Sequence, residues 1–370
     1  GVISYSDSTG KQVHKPSEDL SKYQKVYIND FVLNNQQAWR GSVGISRYNG
    51  IISPAYFVYE MSEKCFPEYM NYVLRDKSMV QQYELSSRGV GSIQRNINTD
   101  ALMCKYIVMP SISEQKQIAS FLDRKCAAID NAIEKTKESI AKLDEYKKSL
   151  ITKTVTKGLN PNAKMKDSGV EWIEQMPDNW EVRRGKFILE RLSRPVKDTD
   201  EIITCFRDGE VTLRKNRREE GFTMSDKEIG YQGIEPNDLV VHGMDGFAGS
   251  IGISDSRGKA TPVLNVLDTK QDKPYLMYYL RSMAYGDVFN AIATGIRVRS
   301  CNLNWAKLAE LPFAIPPIEE QRKIAQFIDK KLMDCNNTIL QKQLLITKLE
   351  EYKKSLIYAA VTGKIDCTNE

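Results

Sequence analysis

Glycines recur every three residues from Gly243 to Gly252, a spacing that could form a loop around a phosphate group. The segment contains neither G-x-G-x-x-G nor a Gly-Lys pair followed by Ser or Thr, the patterns of dinucleotide and nucleoside triphosphate loops. Its second half, Gly249–Ser254, recurs as Gly41–Ser46 without the preceding glycines. These glycines therefore indicate tight β-turns rather than a nucleotide site.

Acidic residues that stand two positions before a lysine, as they do in some nucleases, occur at Glu145 with Lys147 and at Glu351 with Lys353. Both pairs fall inside long helical patterns, where interspersed charges are typical of a solvated helix face. The two pairs do not predict a nuclease site.

The residue types of other catalytic and metal sites are sparse. The two histidines, His14 and His242, are too few for a multi-histidine metal site, and the seven cysteines lack C-x-x-C spacing. Scattered cysteines of this kind indicate reduced thiols in the cytoplasm rather than disulfides or zinc. Neither the Asn/Asp-Pro-Pro-aromatic motif of DNA methyltransferases nor a nucleophile–base–acid set is present. The sequence predicts a chain that is not itself an enzyme and has no metal or catalytic residues.

Arg, Lys, Asn, Gln and Trp residues near predicted turns are suited to binding DNA. Arg and Lys neutralise phosphates, and Arg, Asn and Gln can form paired hydrogen bonds with purine edges in the major groove. The candidate DNA-binding residues are Trp39, Arg40, Ser42, Arg88, Gln94, Arg95, Asn96, Arg207, Arg214, Lys215, Arg217, Arg218, His242, Ser250, Arg297, Arg299 and Asn302. The competing interpretation is that many of them are ordinary surface groups, and Glu219 and Glu220 show that the arginine cluster is not purely basic.

One stretch of the sequence occurs twice. Met109–Thr156 recurs as Ile315–Thr362, a shift of 206 residues from Pro110 to Pro316, with nearly half of the positions identical. In each copy apolar residues alternate at intervals of four and three, which is typical of a helix that buries one stripe against another helix. A helix of roughly 40 residues is about 60 Å long. The sequence predicts two such helices, paired with each other and antiparallel.

The ends and the core of this helix pair follow from the same pattern. Ser111 and Glu114 fit a capping box at the start of the first copy, and Gly158 and Gly363 follow the last apolar turns. The predicted core residues are Leu122, Ile129, Ile133, Ile140, Leu143, Leu150, Ile328, Leu332, Ile339, Ile346, Leu349 and Leu356. The alternative, two surface helices on separate globular cores, is disfavoured by their length.

The duplication extends beyond the helices. Asn29–Val32 matches Asn237–Val240, and Tyr69–Arg75 matches Tyr275–Arg281. The sequence predicts a mixed α/β chain in which two β-rich globules are separated by the paired helices. The predicted segments are a first globule at 1–108, a helix at 109–157, a linker at 158–168, a second globule at 169–314, a helix at 315–363 and a tail at 364–370.

The second globule has a lead-in, residues 169–207, that the first globule does not match. Gly1-Val2-Ile3 aligns with Gly209-Glu210-Val211, so the counterpart of the lead-in would fall before residue 1. We expect the first globule to lack its N-terminal part, whether by truncation, by processing or by an incomplete record of the chain.

Composition bounds the class of protein. The chain has 370 residues, enough for two or three domains, and its net charge of +5 permits nucleic-acid binding without requiring it. No apolar run approaches the ~18 residues of a transmembrane helix, and no signal peptide is visible. We expect a cytoplasmic protein.

Together these motifs resemble one family. The repeated Pro-x-x-x-Glu-Gln-x-x-Ile-Ala-x-Phe-[Leu/Ile]-Asp openings, the Glu-Tyr-Lys-Lys-Ser-Leu-Ile closings and the Asp-Ser-Gly-Val-Glu-Trp-Ile…Pro-x-x-Trp-Glu-Val link occur in order along essentially the whole chain. They closely resemble a specificity (S) subunit of a type I restriction–modification enzyme.

The resemblance implies two target-recognition domains, each reading one half of a bipartite DNA target. It also implies that the antiparallel helices fix the gap between the half-sites and dock two modification (methyltransferase) subunits. Those subunits carry S-adenosylmethionine and methylate adenine, and restriction subunits then join to translocate and cut double-stranded DNA. The chain itself would need no cofactor and no membrane.

Two other functions remain open. The chain could be the recognition region of a fused single-chain restriction–methylation enzyme, which would carry catalytic motifs in additional sequence. It could instead be a coiled-coil scaffold that binds only proteins, which salt-dependent DNA binding would exclude.

Overall fold

The structure is a computed structural model, and it describes residues 2–3, 18–89, 95–217, 228–292 and 303–367. The chain divides into two compact units, residues 1–138 with 341–370 and residues 139–340. Both division points lie inside a long helix, α4 at Ile112–Lys157 and α8 at Ile318–Val361. Each unit therefore contains one globule together with a part of both long helices.

The globule of the first unit is built on short strands and helices. Its elements are β1 Gln24–Val26, β2 Phe31–Asn34, β3 Val43–Ile45, β4 Gly50–Ile52, β5 Tyr56–Tyr59, α1 Pro67–Arg75, α2 Lys77–Leu85, β6 Ser87–Arg88, β7 Asn96–Ile97 and α3 Thr99–Met103. Strand β2 is central in the order β3-β2-β5, and β1 pairs with β4 and β6 with β7, all antiparallel. Helix α1 covers the sheet with Tyr69, Met70, Val73 and Leu74, which are buried.

A tight turn separates the first two strands of this globule. Residues 25–33 belong to β1 and β2 rather than to one continuous strand. Asn29 at the break has φ 75°, a left-handed conformation that strands do not contain. The Asp30 carboxylate accepts the Tyr27 N–H at 2.7 Å and stabilises the turn.

Within the first unit, the start of α4 packs against the end of α8. Ile129 and Ile133 of α4 share a core with Leu356 of α8, and Ile346 and Leu349 pack against it. At the edge of this contact the Lys353 ammonium lies 2.6 Å from the Asp130 carboxylate.

The second unit repeats this arrangement with additional strands. Its elements are β8 Met165–Asp167, β9 Gln175–Pro177, β10 Glu181–Arg184, β11 Glu190–Arg191, β12 Ile203–Cys205, β13 Val211–Leu213, β14 Gln232–Ile234, β15 Leu239–His242, β16 Ile251–Ile253, β17 Gly258–Ala260, β18 Leu264–Asp268, α5 Lys273–Tyr285, α6 Val288–Ala291, α7 Trp305–Glu310 and β19 Pro312–Ile315. The order β11-β18-β15-β16 extends the three-stranded order of the first unit by one strand, and β14 pairs with β17 as β1 pairs with β4. The pairs β8–β9, β10–β19 and β12–β13 lie in or next to the lead-in.

Within the second unit, the end of α4 packs against the start of α8. Ile151 and Val155 share a core with Ile324 and Ile328. The Lys147 ammonium donates to the Asn336 side-chain oxygen at 3.1 Å. Lys147 and Asn336 are the positions that the 206-residue repeat relates to Lys353 and Asp130. Each unit thus contains the same antiparallel helix contact, with a charged acceptor in one and a neutral acceptor in the other.

The helix ends have the predicted chemistry. The Glu114 carboxylate accepts the Ser111 N–H at 2.9 Å and its hydroxyl at 2.7 Å, and these bonds lower the pKa of Glu114. Gly158 and Gly363 both have φ 71°, the left-handed conformation that ends a helix. The twelve predicted core residues are all buried or half-buried. The predicted fold class, a mixed α/β chain with two long helices, is confirmed.

Candidate nucleic-acid interface

In the first unit, the segment between β2 and β3, residues 34–42, places an aromatic side chain near the surface; we call it the Trp39 turn. The Asn34 side-chain oxygen accepts the N–H groups of Gln36 and Gln37, each at 2.9 Å, and so closes the turn. A 3-10 segment, Ala38–Arg40, follows and ends at Gly41, whose φ of 84° favours glycine. The turn is thus held by the Asn34 side chain and by the conformation of its own backbone, and it leaves the Trp39 side chain half-buried.

Two arginines lie over the Trp39 ring. The guanidinium carbons of Arg40 and Arg95 are 4.4 Å and 4.9 Å from the ring centroid, within the range of a cation–π interaction. The indole N–H donates to the Gln36 carbonyl at 2.9 Å, which fixes the ring, and Arg95 also contacts Glu84 at 2.9 Å. The structure therefore brings three predicted DNA-binding residues together.

The β6–β7 ribbon adds two predicted residues beside this group. Arg88 and Asn96 are exposed and are partners in the register of the ribbon. The Ile97 N–H lies 3.1 Å from both the backbone and the side-chain oxygen of Asn35, so the ribbon is joined to the Trp39 turn. Ser42, at the end of the turn, is exposed. Gln94 lies outside the described residues.

In the second unit the equivalent segment is residues 242–250, which we call the His242 turn. The His242 Nδ1 accepts the N–H groups of Met244 at 3.2 Å and Asp245 at 3.0 Å. This imidazole nitrogen performs the role of the Asn34 side-chain oxygen. Phe247 stands at the position of Trp39, within a 3-10 segment that ends at Gly249 with φ 94°.

The hydrogen bonds of His242 determine its protonation. Since Nδ1 accepts two N–H groups, it carries no proton, and the neutral ring must hold its proton on Nε2. Burial of the ring lowers the pKa of His242, Arg207 lowers it further, and Asp245 acts in the opposite direction. The His242 turn is therefore built around a neutral histidine.

The arginine cluster of the second unit is paired with carboxylates. Arg207 lies 3.0 Å from Asp245, and Lys215 lies 2.6 Å from Glu201. The Arg217 guanidinium lies 2.7 Å from Asp208 and 2.9 Å from Glu210, and 4.3 Å from the centroid of the Phe206 ring. Arg214 donates to the Thr204 hydroxyl at 3.2 Å. Arg207, Lys215 and Arg217 can therefore reach phosphates only in competition with these carboxylates.

The remaining predicted residues divide into two groups. Ser250 is 1% exposed, so its hydroxyl is not available to a nucleic acid in this structure. Arg218, Arg297, Arg299 and Asn302 lie outside the described residues.

Sequence reasoning missed the residues that hold the two turns. Asn34 and Asn35 in the first unit and Asp245 in the second were not among the predicted site residues. The aligned pair of Asn34 and His242 was the available signal, because both side chains offer an acceptor at the end of a strand. Their common role, to accept two backbone N–H groups of the turn, is visible only in the three-dimensional structure.

In the part of the chain that the structure describes, no group of three or more His, Cys, Asp and Glu side chains could hold a metal ion. Among the same residues, no helix is both long enough and apolar enough to cross a membrane.

Known proteins that are similar to this chain in sequence include two specificity subunits. No family model matches the chain. The provisionally named MjaX type I restriction enzyme specificity subunit of Methanocaldococcus jannaschii is 25% identical over 383 residues, which cover 94% of this chain and 81% of that protein. The MjaVIII type I restriction enzyme specificity subunit of the same organism is 24% identical, with 94% and 84% covered.

Solved structures have a similar fold. The HsdS subunit of Thermoanaerobacter tengcongensis matches with a TM-score of 0.58 at 13% identity, covering 94% of this chain and 84% of that chain. A chain from a structure of complex assembly and conformational transition in a type I R-M system matches with a TM-score of 0.68 at 12% identity, covering 93% and 84%. The predicted resemblance to the specificity (S) subunits of type I restriction–modification enzymes is thereby confirmed, in sequence and in fold, along nearly the whole chain.

Proposed function

We propose that the chain is the DNA-recognition subunit of a type I restriction–modification complex, in which each unit reads one half of a bipartite target. The observation that supports this most is the repeated frame of strand, turn and 3-10 segment, with Trp39 and two arginines in one unit and with His242, Phe247 and Arg207 in the other. Two domains that recognise different DNA sequences require a common backbone arrangement with different side chains at the contact positions.

The Trp39 turn offers the chemistry for the first half-site. Guanidinium groups bind guanine edges or phosphates in paired hydrogen bonds, and each good pair contributes about 1–3 kcal/mol of discrimination. Arg88 and Asn96, exposed on the adjoining ribbon, offer a further donor and an amide that suits adenine.

In the second unit, phosphates would displace Asp208 and Glu210 from Arg217, which is feasible because exposed ion pairs contribute only about 0–1 kcal/mol.

The catalytic work of the complex belongs, in this proposal, to its partners. Modification subunits would bind S-adenosylmethionine and methylate adenine, and restriction subunits would join them for cleavage. The relatives are named as specificity subunits, which supports a recognition role. We propose two modification subunits per chain, docked through the paired helices, because the chain contains two copies of the helix contact.

The helices also suit the task of fixing the gap between half-sites. Protein modules bind one face of B-DNA at separations near whole turns, about 34 Å each. Helices of 46 and 44 residues are stiff enough to set such a distance. Insertion of one helical turn at equivalent positions of both helices should change the permitted gap and leave both half-sites unchanged. An unchanged gap in a methylation assay would refute this part of the proposal.

The test of the main proposal is co-expression of the chain with its modification partner, followed by mapping of methylated adenines. We expect methylation at one bipartite sequence, and substitution of Trp39 or Arg40 should relax the first half-site only. Methylation that is unchanged by these substitutions, or that does not depend on the chain, would contradict the proposal.

The two alternatives make different predictions. The fused single-chain enzyme is not favoured, because the relatives are named as subunits and this chain covers 81% and 84% of them. A scaffold that binds only proteins would show no salt-dependent affinity for duplex DNA. We expect the affinity to fall steeply with salt, as phosphate contacts require.

A further inference from the structure

An apolar segment of the first unit is exposed, whereas its equivalent in the second unit is buried. Tyr106–Met109 and strand β19 both precede a long helix and are related by the 206-residue repeat. The four residues of the first segment are between 38% and 98% exposed. Phe313, Ala314 and Ile315 of β19 are at most 7% exposed. The same place in the repeat is thus covered in one unit and uncovered in the other.

In the second unit, the cover is a segment within the lead-in, residues 179–184. Strand β10 pairs antiparallel with β19, with Val182 opposite Ala314. Trp180, directly before β10, is fully buried, and its ring lies against Gly158, where a Cβ atom would stand 3.2 Å from Cζ2. The Asn179 amide donates to the Glu320 carboxylate at 3.3 Å. A short extended segment with one tryptophan therefore closes this side of the second unit.

The surface beneath the cover is the same in both units. The Tyr275 hydroxyl lies 2.7 Å from the Ala314 carbonyl and 3.2 Å from the Val155 carbonyl. The Tyr69 hydroxyl lies 3.1 Å from the Val108 carbonyl and 3.5 Å from that of Val361. Val108 occupies the position of Ala314, so the first unit has the floor of the site that Trp180 and β10 cover in the second.

The first unit also has a cavity at this place. A space of about 160 Å³ is lined by Tyr69, Val108, Pro110, Glu114 and Ile118, among others. Glu114 is the equivalent of Glu320, which contacts Asn179 in the second unit. Among the described residues, none pairs with Tyr106–Met109 as a strand.

We propose that Tyr106–Met109 and this cavity form an acceptor site for an extended polypeptide segment with the pattern of residues 177–182, Pro-Asp-Asn-Trp-Glu-Val. The segment adds an antiparallel strand along Tyr106–Met109 and inserts its tryptophan beside Glu114. Backbone hydrogen bonds contribute affinity, and the buried indole contributes specificity, as in other cases of strand addition. The register of β10 and β19 places the valine of the segment opposite Val108.

The chemistry of the surface favours this occupant over a small ligand or a nucleic acid. Four consecutive exposed apolar residues, which no described residue pairs with as a strand, are an aggregation hazard unless another segment covers them. Two acidic groups line the cavity, Glu114 and Asp366, and they would repel phosphates. Glu114 stands at the position of Glu320, which accepts the Asn179 amide in the second unit. The inference does not depend on the proposed function, since it rests on contacts away from both turns.

The test uses the full chain and a fluorescein-labelled synthetic peptide of residues 174–186, which contains Trp180 and β10. We expect saturable binding by fluorescence anisotropy and slower amide hydrogen exchange at residues 106–109. Binding should be at least about tenfold weaker for the peptide with Trp180→Ala and for the chain with Val108→Asp. Leu85→Asp is the matched control, because Leu85 is a 73% exposed apolar residue elsewhere in the same unit, and it should bind normally.

Three outcomes would overturn the proposal. The first is equal binding of a scrambled peptide, and the second is protection at residues 312–315 without protection at 106–109. The third is a dimer of the chain in sedimentation that Val108→Asp converts to a monomer, since a second copy would then be the occupant. Circular dichroism of the Val108→Asp chain separates loss of the site from loss of the fold.

Discussion

The Trp39 turn and the His242 turn solve one structural problem with different chemistry. Each must satisfy two backbone N–H groups after a strand, and Asn34 does so with an amide oxygen while His242 does so with an imidazole nitrogen. Asn34 cannot titrate, whereas His242 can. The shared frame of strand, turn and 3-10 segment therefore requires a hydrogen-bond acceptor at this position, whereas the other side chains of the turn can vary. This difference also predicts where the two units will differ in stability, in binding and in response to pH.

The largest expected difference between the two units is in the free energy of unfolding, and it concerns the glycine that ends each turn. A Cβ atom at Gly249 would stand 2.9 Å from the Arg207 carbonyl oxygen, whereas one at Gly41 would stand 3.5 Å from a flexible Val80 methyl. Both have positive φ, so both substitutions to alanine cost about 1 kcal/mol or more, and Gly249→Ala should approach about 3 kcal/mol. Urea denaturation of the two variants measures the difference. Equal losses would show that backbone strain, rather than the contact with Arg207, dominates.

The next largest effect is on DNA affinity, and it concerns the ring of Trp39. Trp39→Ala removes the surface on which Arg40 and Arg95 lie and should weaken binding to the first half-site by about 1–2 kcal/mol, roughly tenfold. Binding to DNA that carries only the second half-site should not change. Anisotropy titrations with the two half-sites measure both quantities. Ile51→Ala serves as the control, because Ile51 is a 55% exposed residue of β4, outside the Trp39 turn and the β6–β7 ribbon. A uniform loss on both DNAs would assign Trp39 a role other than reading one half-site.

A third test exchanges the two acceptors. His242→Ala loses the acceptor for two N–H groups and should cost about 1–2 kcal/mol of stability, whereas His242→Asn copies the first unit and should cost little. Since folding lowers the pKa of His242, the neutral ring stabilises the fold above its ordinary pKa of 6.5. That stability is lost as the pH falls below about 6.5 toward the lower folded-state pKa.

Unfolding free energies at about pH 7.5 and about pH 5.5, one unit to either side of the ordinary histidine pKa, measure this effect. The original chain should lose more stability than His242→Asn over this interval. If the two lose the same amount, His242 is not the group that titrates, and the difference between the turns is not one of protonation.

The smallest effect concerns the carboxylates around Arg217. Glu210→Gln removes one of its two acidic partners and a negative charge from the surface, and it should strengthen DNA binding about twofold at low salt. The gain should fade as salt screens the charges. Glu84→Gln beside Arg95 is the matched change in the first unit. Weaker binding by Glu210→Gln would mean that the carboxylate holds Arg217 in its binding position.

Much of the fold could be predicted from the sequence because the repeat supplies its own comparison. The period of four and three residues predicted both long helices, and the capping box at Ser111 was visible as a pattern. The turn between β1 and β2 was not visible, since the residue types around Asn29 do not reveal its left-handed conformation. Predicted boundaries at the helix ends also differ from the compact units, which divide inside the helices, because packing between distant segments decides them.

The site was predictable in its residue types and not in its arrangement. Trp39, Arg40 and Arg95 come together because the β6–β7 ribbon is joined to the turn through Asn35, a contact that spacing does not encode. Ser250 matched the repeat as well as Ser42 did, yet it is buried. A cluster of arginines in the sequence does not show which carboxylates form ion pairs with it. The acids that pair with Arg207 and Arg217 were not among the predicted residues.

The contact between Tyr69 and Val361 has a consequence for the order of events during synthesis. These residues are 292 positions apart, and the core of the first unit includes Leu356 and Cys367. The second unit consists of residues 139–340, which are all translated before residue 341. A ribosome therefore releases the complete second unit before the first can close, although the first globule is translated earlier. Until Leu356 and Cys367 emerge, the nascent first globule is left with an unfinished core, the condition in which chaperones bind.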